Sequence, residues 1–122
     1  MPSTKVELAM QSGVIVQANA SQTGTIIDIS TTYGGEVFLY LTNPSGGVTT
    51  PHQTQLQISP NTGNGVAWYN YGGAFVGPTG SGSFQTWTTE LPPGAKYIRP
   101  VTTAGSPNPA MADSRIVHIT SL

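Results

Sequence analysis

Cysteine is absent from this chain, which excludes a disulfide framework and any thiolate-held metal. Charge is scarce as well. Four Lys or Arg and five Asp or Glu make up 7% of the residues, with a formal net charge of −1, where soluble domains carry about 25%. So few cations leave no electrostatic footprint for nucleic acid, which is therefore not an expected partner. Long apolar runs are missing: none approaches the ~20 residues a membrane helix needs, so no membrane partner is expected either. Met1-Pro2-Ser3-Thr4-Lys5 does not lead into an apolar stretch. No signal peptide is therefore expected, and the chain is expected to be made and folded in a cytoplasm. Two histidines without cysteine are a thin basis for a metal site, and no metal or cofactor is expected.

Surface polarity must then come from Thr, Ser, Asn, Gln and Gly. Such a skin repels itself weakly and loses little on burial, which suits lasting contact with other subunits. It equally suits an extracellular β domain with a Thr-rich surface.

What the chain does have is β periodicity. Its 122 residues are read as one domain, 1–122, long enough to bury roughly 65% of its unfolded surface. Residues 53–59 alternate, with Thr54, Leu56 and Ile58 opposite Gln53, Gln55 and Gln57, the period of a half-buried strand. Residues 36–42 are apolar on both faces, Val37, Leu39 and Leu41 against Phe38 and Tyr40, which predicts a strand covered on both sides. Near the start, Val6, Leu8 and Met10 oppose Lys5, Glu7 and Gln11, and Val14 and Val16 follow. Asn43-Pro44-Ser45-Gly46-Gly47 reads as a turn, and residues 77–83, rich in Gly and Ser, as an exposed mobile loop. No stretch carries a helical period. About eight to ten short strands spaced some 8–12 residues apart predict an antiparallel sandwich or barrel.

The most specific local signal is Leu91-Pro92-Pro93-Gly94-Ala95-Lys96-Tyr97. It resembles the tyrosine corner of immunoglobulin and fibronectin domains, in which a Tyr hydroxyl bonds back to upstream backbone. The resemblance implies an all-β, single-domain antiparallel β-sandwich of immunoglobulin/fibronectin-like type. A jelly roll is the alternative, because strand order cannot be read from sequence. Arg99, on the same face as Tyr97, stands where that family carries an apolar residue.

Catalytic constellations do not assemble. The sequence holds no Gly-x-Ser-x-Gly elbow, no P-loop and no His-Glu-x-x-His helix. Glu36 and Glu90 are the candidates for a carboxylate pair only because acids are few, and no enzyme is expected. His118 reads as a hydrogen-bonded strand residue and His52 as a loop residue. Trp68 reads as the core tryptophan of the sandwich. Tyr69 and Tyr71 would then face outward, and with Trp87 they are candidates for a protein interface or a sugar platform, since rings offer large contact area with few rotamers.

Four segments carry a wider likeness: residues 25–35, Thr42-Asn43, Trp68-Tyr69 and residues 93–99. In this order they resemble the small all-β virion proteins of tailed bacteriophages, of capsid decoration (cement) or neck type. The resemblance implies a non-enzymatic structural protein on the capsid surface of a virion. Its partners would be the major capsid protein or other virion proteins, and it would form a homo-oligomer, a trimer in many cement proteins. A flexible arm of residues 1–4, with Pro2, Ser3 and Thr4, and the loop bearing Gly80 and Ser81 are the parts expected to reach a neighbour. The competing expectation is a carbohydrate- or cell-surface-binding β-sandwich module of a phage fibre or adhesin, which would use Tyr69, Tyr71 or Trp87.

Overall fold

A computed structural model describes residues 3–60 and 67–121, and these form ten strands joined by turns. The strands are β1 (Thr4–Val16), β2 (Ser21–Thr23), β3 (Ile27–Asp28), β4 (Gly35–Thr42) and β5 (Gln53–Pro60), then β6 (Tyr69–Asn70), β7 (Phe75–Val76), β8 (Phe84–Glu90), β9 (Ala95–Thr103) and β10 (Ala110–Ser121). No helix occurs among the described residues. The front sheet has the order β1-β10-β4-β8. The back sheet has the order β2-β9-β5-β6, with β3 also on β9 and β7 also on β5. Every ladder is antiparallel.

The sandwich is as expected, and its strand order is the jelly-roll alternative. The chain crosses from sheet to sheet at six of the nine connections between the described strands, and β5 and β6 are the only consecutive strands among them that pair. An immunoglobulin-type order would set several hairpin-linked pairs side by side. The tyrosine corner misled for a physical reason. Tyr97 lies on the outer face of the back sheet, opposite Ser59 and Asp28, with the Lys96 ammonium 5.3 Å from its ring centre. A hydroxyl that does tie the sheets together belongs to Tyr71, which donates to the Glu90 carbonyl at 2.8 Å.

Alternation decides what is buried. Val37, Leu39 and Leu41 of β4 are buried on the inward face, and Val37 and Leu39 cluster with Ile116 of β10, Leu56 of β5 and Ile98 of β9. Each such side chain contributes about 1.5–3 kcal/mol on leaving water. A smaller cluster of Val16, Ala104 and Ala110 fills one end.

A buried polar chain also crosses the interior. Ser114 of β10 donates to Gln11 of β1 at 2.9 Å, Gln11 donates to Thr102 of β9 at 2.9 Å, and Thr102 meets Thr54 of β5 at 2.8 Å. Gln11 was expected on the outer face with Lys5 and Glu7. Register shifts in β1 on either side of Gln11 rotate it inward beside Met10, and both are buried. A bulge does this because it inserts a residue into a two-residue period.

Candidate functional site

The outer face of the front sheet departs from the polar exterior of a free-standing sandwich. Expected to be covered on both sides, β4 is covered on one only. Phe38 remains 43% exposed, Phe84 of β8 62% and Ile15 of β1 44%. Tyr40 and Phe84 stack with ring centres 5.7 Å apart. Phe38 stands between two shallow depressions. One, of about 310 Å³, lies among Tyr40, Thr86, Thr88 and Asp113. The other, of about 220 Å³, lies among Lys5, Glu36, Val117 and Ile119. Scattered apolar residues on a surface need no explanation, but contiguous aromatic ones mark contact sites.

One charged cluster on this face is neutralised from within. Arg115 donates from Nε to Asp113 Oδ1 at 2.9 Å and from a terminal nitrogen to Oδ2 at 3.2 Å. The same carboxylate accepts the Gly13 N–H at 3.2 Å, and Glu7 lies 4.0 Å from Arg115. The bonds to Asp113, then its charge, raise the Arg115 pKa. Glu36 and Glu90 face each other directly across β4 and β8. Both are exposed, so this carboxylate pair stands on an open surface and not in a cleft. Among the described residues no three His, Cys, Asp or Glu side chains converge to hold a metal ion.

The back sheet presents a different chemistry. Gln53, Gln55 and Gln57 line its outer face with Arg99. Arg99 Nε donates to Gln57 Oε1 at 2.9 Å, and its guanidinium sits 4.0 Å from the Trp68 ring centre. Trp68 is therefore not the core tryptophan. It covers Arg99 on the outside, which explains why a charge is tolerated beside Tyr97: that face is the solvent side. Trp87 packs against the core instead, its ring 5.6 Å from Phe75.

The three aromatic candidates do not share a platform. Tyr71 and Trp87 pack against the core. Tyr69 is 60% exposed, at the rim of a groove of about 400 Å³ lined by Ile58, Pro60, Pro93, Gly94 and Ala95. Of the expected arm, Pro2 lies outside the described residues and Ser3 is exposed, while Thr4 opens β1 and accepts a bond from Ser121 at 2.8 Å. Gly80 and Ser81 are exposed, yet their loop is tethered. The buried Asn43 donates from Nδ2 to the carbonyls of Pro78 at 2.9 Å and Gly80 at 2.8 Å.

His52, expected in a loop, is 1% exposed. Its Nδ1 accepts the Gly105 N–H at 2.8 Å, while Nε2 is buried without a hydrogen-bond partner among the described residues, and burial lowers its pKa against a weaker raising influence of the Pro109 backbone. His118 lies within β10 as expected and is buried, but its Nδ1 has no hydrogen-bond partner among the described residues, so the expected hydrogen-bonded histidine is not what the strand holds at that atom. Sequence reasoning missed Phe38, Phe84 and Asn43 as surface and anchor residues. For Phe38 the signal was present, since a strand apolar on both faces needs a cover on each.

No family model matches the chain, and no curated protein matches it in sequence. Solved structures do match its fold. A chain of the infectious bursal disease virus Gx strain is 9% identical with a TM-score of 0.62, over 98% of this chain and 32% of that one. The VP2 subviral particle of the same virus gives 10% identity and 0.60, over 98% and 33%. The SPBc2 prophage-derived protein YomS is 10% identical with a TM-score of 0.51, over 96% of each chain. This chain therefore spans about a third of the length of the viral chains it matches. It is a small all-β protein whose structural neighbours are viral capsid proteins and a prophage-derived protein.

Proposed function

We propose that this chain is a non-enzymatic structural protein of a virus particle, and specifically a decoration protein that binds the capsid lattice of a tailed bacteriophage. The observation that carries the reading is the front face: Phe38 and Phe84 exposed, with the half-buried Tyr40 between them, in one patch on a single sheet. Such a face suits a protein partner with complementary apolar side chains. The jelly-roll sandwich it shares with capsid proteins supports the same reading at the level of fold. In this reading the partner is the major capsid protein, copies associate as homo-oligomers, trimers by analogy with cement proteins, and many weak contacts add up by avidity over the lattice.

The test is mass spectrometry of purified particles from the phage that encodes the chain. The expected result is a stoichiometric copy number relative to the major capsid protein, falling when Phe38 and Phe84 are both changed to Ser. A chain absent from purified particles would end the proposal.

The carbohydrate-binding alternative retains one supporting observation, the exposed Tyr69 beside its groove. A glycan array on which the wild type binds and Tyr69→Ala does not would favour it over docking.

A further inference from the structure

A sandwich ends in edge strands whose free N–H and C=O groups can recruit another strand, and natural proteins block such edges. Most edges here are blocked. β1 breaks register with β10 at three places and carries Lys5 and Glu7. β2 has three residues, β6 and β7 two each. β8 is different. It pairs with β4 over seven residues without a register break, and residues 84–89 contain no charge, proline or glycine.

Two bonds fix which of its backbone groups are free. The Leu91 N–H donates to the Gly35 carbonyl at 3.0 Å, so Leu91 faces β4. Alternation then turns the backbone groups of Phe84, Thr86, Thr88 and Glu90 away from β4. The Glu90 carbonyl already accepts the Tyr71 hydroxyl. Phe84, Thr86 and Thr88 each keep a donor and an acceptor, and among the described residues no strand but β4 pairs with β8.

We infer that two copies of this chain join β8 to β8, antiparallel, with Thr86 on the two-fold axis. In that register Thr86 faces Thr86 of the second copy, and Phe84 faces its Thr88. Every free group of one edge meets a complementary group of the other, and the Tyr71–Glu90 bond is left alone. An axis at Trp87 would set Phe84 against Glu90 and ask the Glu90 carbonyl to serve two donors. An axis at Thr88 would leave Phe84 without a partner. Centring on Thr86 also keeps the two Glu90 carboxylates at opposite ends, so no like charges oppose. Phe84, stacked on Tyr40, then lies beside Thr88 of the second copy and continues the apolar row across the joint. A strand of this length spans about 24 Å, so the joint covers far less than the ~800 Å² per partner of a standard interface. The dimer therefore belongs to the weak class and forms at micromolar concentration or above.

Sedimentation velocity on the whole chain, from micromolar to millimolar concentration, tests this together with amide hydrogen exchange at both ends of that range. The expected result is a dimer fraction that grows with concentration, with the Thr86 and Thr88 amides gaining protection in step. Thr86→Pro removes the central donor without touching the β4 ladder, and Thr88→Lys puts a charge in the pairing path. Each is expected to weaken dimerisation about tenfold or more with the far-UV spectrum unchanged. A monomer throughout, or any oligomer, trimers included, that both variants leave intact, would overturn the assignment. Should Thr86→Pro fail to fold, Thr88→Lys and the wild-type exchange profile decide. The outcome is independent of whether the chain is found in particles.

Discussion

The Gln11 amide donates to the Thr102 hydroxyl at 2.9 Å, linking the first strand of the front sheet to the back sheet through the interior. Its carbonyl accepts the Ser114 hydroxyl at 2.9 Å, so one side chain satisfies groups on both layers. Gln11→Leu keeps the volume and strands Ser114 without its acceptor. The expected loss is about 1–3 kcal/mol in urea unfolding, the cost of an orphaned buried group. Gln17→Leu, at an exposed position of the same chain region, should stay within about 0.5 kcal/mol. Equal effects would mean that the polar chain contributes nothing to holding the layers.

Tyr71 offers a second tie. Its hydroxyl spans from the loop after β6 to the last residue of β8, in the other sheet. Tyr71→Phe keeps the ring against the core and removes only that bond, with an expected loss of about 0.5–1.5 kcal/mol. The same change should speed exchange at the Leu91 amide, whose bond to Gly35 closes that end of the ladder.

These two ties show where the sequence was legible and where it was not. The two-residue period of β5 and of the first half of β1 announced strands, and enough of them announced a sandwich. The faces of β4 were visible too, but not which of them would be left bare, because that depends on what the rest of the chain has to spare. Gln11 was misplaced because a bulge shifts phase, and its one mark, Ser12-Gly13 with Gly13 at φ 59°, reads in sequence as an ordinary turn. Trp68 was misplaced because a tryptophan can lie over an arginine on the outside as readily as it fills a core. Strand order was out of reach, since pairing between β1 and β10 or β2 and β9 has no local signature.

The two faces of β4 can be told apart by truncation. Leu39 is buried in the main cluster, and Leu39→Ala should cost about 2–5 kcal/mol. Phe38 is its immediate neighbour on the open face. Phe38→Ala should cost less than about 1 kcal/mol of folding stability while weakening capture of the docking partner. A reversal of that order in unfolding experiments would place the core on the wrong side of the sheet.

Acid should loosen the fold through His52. Its pKa is lowered by burial, so below the ordinary value of 6.5 the unfolded chain binds a proton that the folded one refuses. Stability from this group is complete above that pH. It declines as pH falls toward the depressed folded value, with a slope of up to about 1.4 kcal/mol per pH unit. Protonation at Nδ1 would also forfeit the bond from Gly105. His52→Asn, whose side-chain oxygen can stand in for the Nδ1 acceptor, should be less stable at pH 7 but show a flatter profile between about pH 5 and 7. Parallel profiles for the two proteins would assign the acid sensitivity elsewhere.

Asn43 anchors the loop that precedes β8. Its side chain is fully buried, and its Nδ2 donates to the Pro78 and Gly80 carbonyls. Its own backbone carbonyl accepts from Gly82, and its N–H donates to Ser83. The side-chain orientation is fixed chemically, since an oxygen in place of Nδ2 would face two carbonyl oxygens. Asn43→Asp keeps the shape and puts an acceptor there, so the loop carbonyls lose both donors and meet a buried carboxylate. The expected cost is about 3–5 kcal/mol, the range for an uncompensated buried charge, and it should shrink as pH falls and the carboxyl takes up a proton that can donate again. Asn43→Ala removes the donors without adding charge and should cost about 1–3 kcal/mol with no such pH dependence. Urea unfolding of the two variants at neutral and acid pH separates these outcomes, and equal, pH-independent losses would reduce Asn43 to a space-filling residue.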